Sequence, residues 1–392
     1  MIFNTFGYYL LFLIPAAILF RYSRPAWQPW VCIVSGCAFF IYFSLTELGG
    51  VAGAACLAIF LWECFVSRFY RKGSVLCLLG IVQSILILFI FKYWNFATGL
   101  VWGNETNPMR WSGAFLPLGV SFFTFEFIHY AADTYKGRIQ TSSTKEYLSF
   151  ILFFPTMVAG PIKRYQDFVP KLRDIAAEWA GDWNRGLTRI LAGLVKKFAV
   201  ADVLTAFTGH LNHADIAQAE RWVLLVWLLA NALKIYIDFS AYSDIAIGSA
   251  RLFGIRVPEN FDWPFARTNI AEFWRHWHIS LTNWLFDYVF APLCGRRVKK
   301  PQAYLNLVVT MLVSGIWHGA GLNFVVFGLI HGVLLAGHRL WRELKPARTG
   351  PPSLIGQAAS WALTFACVVV TFAIFTMDLP TAWHLFSRLI RG

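Results

Sequence analysis

Hydrophobic residues occur along the chain in long runs, and polar or charged loops separate these runs. A helix needs about 20 apolar residues to cross the hydrocarbon core of a bilayer, and several runs reach that length. The pattern predicts an all-α polytopic membrane protein with about ten or eleven transmembrane helices and one or two re-entrant segments. The runs lie at about 6–20, 28–45, 48–66, 74–94, 114–131, 147–161, 187–208, 221–240, 280–294, 303–317, 321–338 and 354–377.

Composition and segment order favour one membrane-embedded domain. Of the 392 residues, 57% are hydrophobic and 14% are charged, which excludes an ordinary water-soluble globule of this size. The run at 6–20 follows a segment without basic side chains, so we interpret it as a first membrane helix and not as a signal peptide. No Pro-, Gly- or Ser-rich linker, charge block or internal repeat divides the chain, which predicts a single domain over 1–392.

The formal net charge of +13 comes from short basic clusters in the loops. Such clusters are typical of cytoplasmic loops beside anionic headgroups, and they favour a lipid bilayer over nucleic acid as the partner. Basic residues follow the first, third and fifth runs most densely, which predicts an extracytoplasmic N-terminus. The seven cysteines show no C-x-x-C spacing, so neither a disulfide framework nor a zinc site is predicted.

Several familiar motifs are missing from the sequence. It contains no Walker A loop, no G-x-G-x-x-G after a strand and no G-x-S-x-G elbow. Their absence argues against ATP-driven, dinucleotide-dependent and serine-hydrolase activities. A transporter or channel stays open as an alternative, because such proteins also carry ionisable residues at membrane depth, although no internal repeat supports it.

The first candidate for chemistry is His318, which lies between glycines in Ser314–Ala320 at the end of an apolar run. A neutral imidazole is well suited to take a proton from a hydroxyl that attacks a thioester or ester. The flanking Gly315 and Gly319 let the backbone bend or let a ligand approach the ring. A membrane histidine can instead hydrogen-bond between packed helices, and the residues alone leave both interpretations open.

A second segment, Phe273–Ser280, places two histidines and an arginine among tryptophans. His276 and His278 are two residues apart, so on a helix they would point to different faces and could not easily share a metal. At most one of them is then expected to face the same cavity as His318. Other side chains that could line a passage or bind a donor, or simply fill helix interfaces, are Trp274, Arg275, Trp277 and Trp317.

Two carboxylates, Asp238 and Asp244, lie in a polar stretch of an otherwise apolar run. Lipid-facing carboxylates are costly, so they should line a polar passage or pair with a cation such as Lys234 or Arg275. Glu63 and Glu126 are intramembrane carboxylates for which the sequence shows no partner.

Other polar clusters carry weaker signals. Lys163 and Arg164 follow a Gly-Pro break and could attract the phosphates of coenzyme A or a phosphopantetheine arm, or anchor a cytoplasmic loop. His210 and His213 have a metal-compatible spacing, but they lack a defined third ligand, and no metal is predicted.

Several of these segments, in the same order and with similar spacing, resemble the membrane-bound O-acyltransferase family. The similarity is to its bacterial branch, which includes alginate O-acetylases and the D-alanyl transfer proteins of teichoic acid synthesis. The segments that carry the resemblance are Leu116–Phe125, Gly160–Ile162, Ile235–Gly248, Pro258–Phe261, Glu272–Leu281 and Gly315–Ala320.

The resemblance implies a helical fold around a central tunnel, with His318 as the catalytic histidine. His278 matches the second characteristic histidine and is expected to shape the site or orient the donor. His276 stands where relatives commonly carry arginine, which makes it a poor catalytic candidate. Within the branch, Asp238–Asp244 and Pro258–Phe261 look more like the acetylases, so the acyl group is expected to be acetyl.

The resemblance also implies the partners and the compartment. A thioester donor, acetyl-CoA or an acyl carrier protein, would approach from the cytoplasm, and no bound cofactor is expected. The acceptor would be a hydroxyl of an extracytoplasmic polysaccharide, reached directly or through an extracytoplasmic acyltransferase or export partner. The bacterial cytoplasmic (inner) membrane is the expected location. D-alanyl transfer to a teichoic acid-type polymer and a scaffold of an export complex are the alternatives.

Overall fold

The computed structural model describes residues 2–139, 143–158, 160–174, 179–209, 211–295, 297–344 and 353–391. In this part of the chain the regular structure is helical, and a single isolated β-bridge joins Phe261 to Trp277. The prediction of an all-α polytopic membrane protein is confirmed.

Twenty α-helices are present in the described residues, and short 3₁₀ and π-helical turns extend several of them. The first ten are α1 (Ile14–Tyr22), α2 (Gln28–Leu48), α3 (Gly50–Ser67), α4 (Val75–Leu88), α5 (Trp94–Trp102), α6 (Val120–Tyr135), α7 (Thr144–Ile151), α8 (Phe154–Met157), α9 (Tyr165–Arg173) and α10 (Trp179–Val195). The others are α11 (Asp202–Thr208), α12 (His213–Gln218), α13 (Arg221–Leu252), α14 (Ile270–His276), α15 (Ile279–Leu285), α16 (Ala291–Cys294), α17 (Lys300–His318), α18 (Leu322–Leu344), α19 (Leu354–Thr376) and α20 (Leu379–Arg391).

Six helical stretches of the described chain are long and apolar enough to cross a membrane. They are α2, α3, the stretch Val75–Trp102, α13, α18 and α19. In the third of these a π-helical turn, Phe89–Tyr93, joins α4 to α5, so that the stretch runs for 28 residues. The chain is therefore a multi-pass membrane protein, with fewer long spans than the ten or eleven predicted.

Two predicted runs form shorter helical stretches, which explains part of that difference. The run at 147–161 is a broken helix that contains α7 and α8, and Pro155 lies in the first turn of α8. The run at 280–294 continues without a gap from α15 through a π-helical turn into α16, which ends at Cys294. Proline has no N–H to donate and its ring clashes with the preceding turn, so it favours a new helix start over continuation.

The described residues group into two compact units. The first unit comprises Met1–Leu194 and Tyr242–Pro258, and aromatic rings fill its core. Phe153 and Phe154 each pack edge to face against Phe253, with ring centroids 5.4 and 5.9 Å apart. The single-domain prediction stays a prediction, because two compact units can both belong to one membrane domain.

The second unit comprises Val195–Ala241 and Glu259–Gly392, and the helical hairpin of α17 and α18 forms its most extensive contact between two helices. A Cβ atom on Gly315 would lie 2.2 Å from the carbonyl oxygen of Phe324, and one on Gly328 would lie 2.5 Å from that of Met311. Small residues let membrane helices approach this closely. The hairpin thereby brings the end of α17 against the start of α18.

Candidate active site

His278 lies in a short non-helical link of the second unit. α14 ends at His276, Trp277 is extended, and His278 adopts a left-handed backbone with φ of 42° before α15 begins. A left-handed backbone is uncommon for residues other than glycine, so surrounding contacts have to hold it. The prediction that treated His276 and His278 as residues of one helix was therefore wrong.

The segment around Asn260 supplies those contacts. The Ile279 N–H donates to the Asn260 carbonyl at 2.9 Å, and the Asp262 N–H donates to the His276 carbonyl at 3.1 Å. The Ser280 hydroxyl also donates to Asn260 Oδ1 at 2.6 Å. Because Asn260 is fully buried, these bonds form a rigid clamp on both sides of His278.

The imidazole of His278 is buried and unsatisfied. Its exposed fraction is 1%, and neither ring nitrogen has a hydrogen-bond partner among the described residues. The edge-on ring of Phe239 packs against it with centroids 4.7 Å apart. Leaving a buried polar group without a partner costs about 1–3 kcal/mol, so this arrangement is typical of a group that awaits a ligand.

His318 is the last residue of α17 and lies near His278. The two ring centroids are 6.3 Å apart, close enough for both imidazoles to contact one bound group. His318 packs beside Trp317, at 4.9 Å, and against the edge of Phe375, at 5.1 Å. The structure thus brings together the two histidines that the sequence singled out, and the ring of Trp317 lies near both, at 6.0 Å from that of His278.

Ser314, one turn before His318 on α17, is another unsatisfied group. It is fully buried, and its hydroxyl has no hydrogen-bond partner in the described part of the chain. Residues four apart share one face of a helix. The face of α17 that ends at His318 therefore carries a second polar group without a protein partner, which the sequence analysis missed.

The glycines beside His318 have a different role from the predicted one. Gly315 admits the backbone of α18, as described above, and a Cβ on Gly319 would lie 2.0 Å from the ring of Phe324. They make room for α18 and its first aromatic side chain. The structure therefore assigns them to helix packing, and neither a bend in α17 nor a ligand contact is needed to explain them.

Trp274 is held by a hydrogen-bonded chain that the sequence did not reveal. Its indole N–H donates to His331 Nδ1 at 3.1 Å, and His331 Nε2 lies 3.0 Å from the hydroxyl of Thr371. An indole can only donate, so His331 carries its proton on Nε2 and donates to Thr371. The apolar surroundings of His331 on α18 gave no sequence signal for this role.

The side chains of Trp277 and Arg275 make contacts elsewhere. Trp277 is buried and packs among aromatic rings, with the ring of Phe372 at 4.9 Å. The side chain of Arg275 is largely exposed and pairs with Glu272. Arg275 and Trp274 both line a cavity of about 540 Å³ that α14, α15, α17 and α18 enclose together with the π-helical turn Phe286–Phe290.

A comparison with known families identifies the family of this chain. A match to the membrane-bound O-acyltransferase family extends over residues 37–377. The chain belongs to this family. Both histidines, the Asn260 clamp and the α17–α18 hairpin lie within the matched region.

Relatives in the O-acyltransferase family act on different polymers. A probable alginate O-acetylase of Pseudomonas aeruginosa is 35% identical over 81% of this chain and 61% of its own length. A peptidoglycan O-acetyltransferase of Helicobacter pylori is 31% identical over 76% of this chain and 61% of its own length. A teichoic acid D-alanyltransferase of Bacillus subtilis is 29% identical over 77% of this chain and 76% of its own length. The chain thus spans about three fifths of the length of the first two.

The two aspartates of this O-acyltransferase-family chain pair with cations that the sequence did not indicate. Asp238 accepts from Lys197 at 2.8 Å, within the second unit. Asp244 accepts from Arg189 at 2.6 Å, within the first unit. Pairing was one of the two predicted alternatives, but the suggested ion-pair partner Arg275 was wrong, because it pairs with Glu272 on its own helix.

Lys163 is not the surface cation that was expected. It is 1% exposed, its ammonium group lies 2.5 Å from the carboxylate of Glu126, and it packs 4.6 Å from the ring centroid of Phe150. This burial contradicts both a phosphate-binding and a loop-anchoring role for Lys163. Arg164 is half-buried at the start of α9, and its role stays a prediction.

The remaining polar predictions concern Glu63 and the His210–His213 pair. Glu63 accepts a hydrogen bond from Ser84, at 3.1 Å, which supplies the partner that the sequence did not show. His210 lies outside the described residues, and the ring of His213 stacks on that of His384 at 5.0 Å. Among the described residues, no group of three or more His, Cys, Asp and Glu side chains could hold a metal ion.

Proposed function

We propose that this protein transfers an acyl group, acetyl in the first instance, from a cytoplasmic thioester donor to a hydroxyl of an extracytoplasmic polysaccharide. The observation that supports this proposal is the pair of neighbouring imidazoles, His318 and the buried, unpartnered His278. Family membership and the acetylase relatives support the same reaction class.

In the proposed reaction His318 acts as a general base. The acceptor hydroxyl oxygen attacks the thioester carbonyl carbon and gives its proton to His318. The carbon–oxygen bond forms, the carbon–sulfur bond breaks, and the thiolate that leaves takes a proton, so the products are an ester and a free thiol. Thioesters are already activated, so positioning, one proton acceptor and exclusion of water are enough.

His278 supplies hydrogen bonding to the reacting group in this scheme. A neutral imidazole has one N–H donor and one acceptor nitrogen, and both ring nitrogens of His278 lack partners in the described protein. A donor that is fixed before the reaction stabilises the oxyanion that develops on the thioester carbonyl. The Asn260 clamp and the left-handed backbone hold His278 in place for this role.

The proposal also includes the orientation of the protein in the membrane and its partners. In this proposal the donor side faces the cytoplasm and the N-terminus lies outside it, in the inner membrane of a bacterium, and the basic loops support that orientation. The acceptor, or an extracytoplasmic acyltransferase or export partner that completes the transfer, would approach from the opposite side.

The test is acyl transfer by membranes or purified protein from radiolabelled acetyl-CoA. Incorporation of label into envelope polysaccharide is compared for the native protein, His318→Ala and His278→Ala at matched abundance, with Arg110→Gln as an exposed control. Label that depends on both histidines supports acetyl transfer. Label from D-alanyl carrier protein alone would favour the D-alanyl alternative, and unchanged incorporation in both variants would favour a scaffold or transporter.

A further inference from the structure

A second cavity lies within the first unit, where the loop between α3 and α4 meets α6 and α7. Its volume is about 570 Å³, and its lining is mainly polar. The cations that line it are Arg68, Arg71 and Lys72, and the hydroxyl groups include those of Ser67 and Thr134. No carboxylate is among its described lining residues. A concave surface with this lining favours an anionic ligand.

The three cations of this cavity are exposed, and carboxylates do not neutralise them. None of the three forms an ion pair in the part of the chain that the structure describes. Asp133, which directly precedes Thr134 on α6, accepts instead from Arg138, at 3.1 Å, and from Gln166. The cavity therefore keeps a net positive charge that a ligand can neutralise.

The cavity also contains a buried hydroxyl without a partner. Thr134 is 6% exposed, and its Oγ1 atom has no hydrogen-bond partner among the described residues. Tyr130, one turn earlier on α6, lines the same cavity, and its ring packs against that of Tyr147 at 4.6 Å. An unpaired buried hydroxyl costs about 1–3 kcal/mol, so a ligand oxygen that reaches Thr134 removes that cost.

Contacts between two loops fix the shape of this cavity. The Gly73 N–H donates to the Tyr135 carbonyl at 3.0 Å, which joins the α3–α4 loop to the end of α6. Gly137 has φ of 72°, and a Cβ atom there would lie 2.8 Å from Cδ of Lys72. The lysine side chain therefore packs directly on the glycine. The cationic loop is thus held at the cavity before any ligand binds.

The position of the cavity relative to the membrane spans favours a phospholipid as its ligand. One apolar span ends at Ser67 and the next begins at Val75, so the three cations lie just beyond the apolar stretches. Phe65 and Phe69 are half exposed, with ring centroids 5.2 Å apart. Exposed aromatic rings beside basic side chains at the end of a span are typical of the depth of lipid headgroups.

We infer that this cavity binds the headgroup of an anionic phospholipid. The cations at its mouth attract the headgroup charge, and Thr134 donates to one of the headgroup oxygens. The acyl chains lie along the exposed face of α3 that carries Phe65 and Phe69. The positive-inside rule predicts that this lipid belongs to the cytoplasmic leaflet. None of these residues takes part in the proposed acyl transfer, so the inference does not depend on that function.

The experiment measures lipid binding to the purified full chain in detergent by native mass spectrometry. The probes are dioleoyl phosphatidylglycerol, which is anionic, and dioleoyl phosphatidylcholine, which has no net charge. The native protein should bind phosphatidylglycerol more tightly. Arg68→Gln and Lys72→Gln should each weaken that binding about tenfold, which corresponds to one charge-assisted hydrogen bond. Phosphatidylcholine binding should not change in either variant.

The other variants separate the hydroxyl contact from effects on folding. Thr134→Val keeps the shape of the side chain and removes the unpartnered hydroxyl, so it should weaken phosphatidylglycerol binding about fivefold without loss of thermal stability. Arg110→Gln, which removes an exposed arginine of the same unit outside the cavity lining, should leave binding unchanged. Arg71 is kept, because its guanidinium donates to the carbonyls of Arg68 and Tyr70 and holds the loop.

Two results would overturn the inference. One is native affinity for phosphatidylglycerol in Arg68→Gln, Lys72→Gln and Thr134→Val alike. The other comes from a parallel titration with inorganic phosphate. Weaker binding of inorganic phosphate in these variants, together with unchanged binding of phosphatidylglycerol, would identify a site for a soluble phosphate compound.

Discussion

Two buried polar clusters, one in each unit, differ in a way that separates structural from functional residues. In the first unit Lys163 and Glu126 are both buried, and they satisfy each other directly. In the second unit His278 is as deeply buried, but both of its ring nitrogens lack partners in the described chain. A satisfied buried pair needs no ligand, whereas an unsatisfied buried group is explained by one that arrives during function.

The largest expected effect comes from breaking the satisfied pair. Lys163→Met leaves the Glu126 carboxylate buried without its cation, which should destabilise the protein by about 3–5 kcal/mol. Thermal unfolding of the purified protein in detergent measures this loss. The double variant Lys163→Met with Glu126→Leu should recover most of it, and acyl transfer per folded molecule should stay near the native value. Lost transfer at native stability would contradict the structural role of this pair.

Substitution of His278, which is buried without a hydrogen-bond partner in the described chain, should reduce activity more than stability. His278→Ala removes a buried polar side chain that has no protein partner, so stability should change little. Transfer should fall about 10²–10³-fold, as for the loss of one oxyanion donor. Activity and thermal unfolding are measured on the same preparation. A large loss of stability with an unchanged rate per folded molecule would place His278 with the structural residues.

An intermediate effect on stability is expected for the hydrogen-bonded series of side chains from Trp274 through His331 to Thr371. His331→Phe keeps a ring in place but removes the acceptor of the Trp274 indole N–H, which should cost about 1–3 kcal/mol of stability. His331→Gln retains an acceptor and should recover part of the loss in thermal unfolding. Equal stability of the two variants would show that the hydrogen bond contributes nothing measurable.

The smallest expected effect on stability is that of Ser314→Ala. The native hydroxyl is buried without a partner, so its removal should be neutral or stabilising by up to about 1 kcal/mol. Its ligand contact should appear instead as a raised KM for the donor. A destabilised variant with native kinetics would mean that the hydroxyl has an internal partner.

The sequence predicted the two histidines of the candidate active site better than the contacts that hold them in place. Hydrophobic runs indicated a polytopic helical protein, and the family motifs singled out His278 and His318, which the structure places 6.3 Å apart between ring centroids. Spacing along the chain could not show that α14 ends at His276, because the clamp on His278 comes from Asn260, almost 20 residues earlier.

Sequence patterns also could not predict ion pairs between residues that are far apart along the chain. Lys163 is 37 residues from Glu126, and Asp244 is 55 residues from Arg189, so no local spacing links them. The sequence therefore predicted Lys163 to be a loop cation, whereas the structure shows that it is buried. His331 gave no signal because a histidine in an apolar run is compatible with many packing roles.

The most direct test of the account compares His318→Ala with Lys163→Met in one assay. Transfer from radiolabelled acetyl-CoA to envelope polysaccharide is measured per folded molecule, with folding assessed by thermal unfolding in the same preparations. We predict that His318→Ala loses about 10²–10⁴-fold in rate at native stability, while Lys163→Met loses stability and retains its rate. Native transfer by folded His318→Ala would contradict the account.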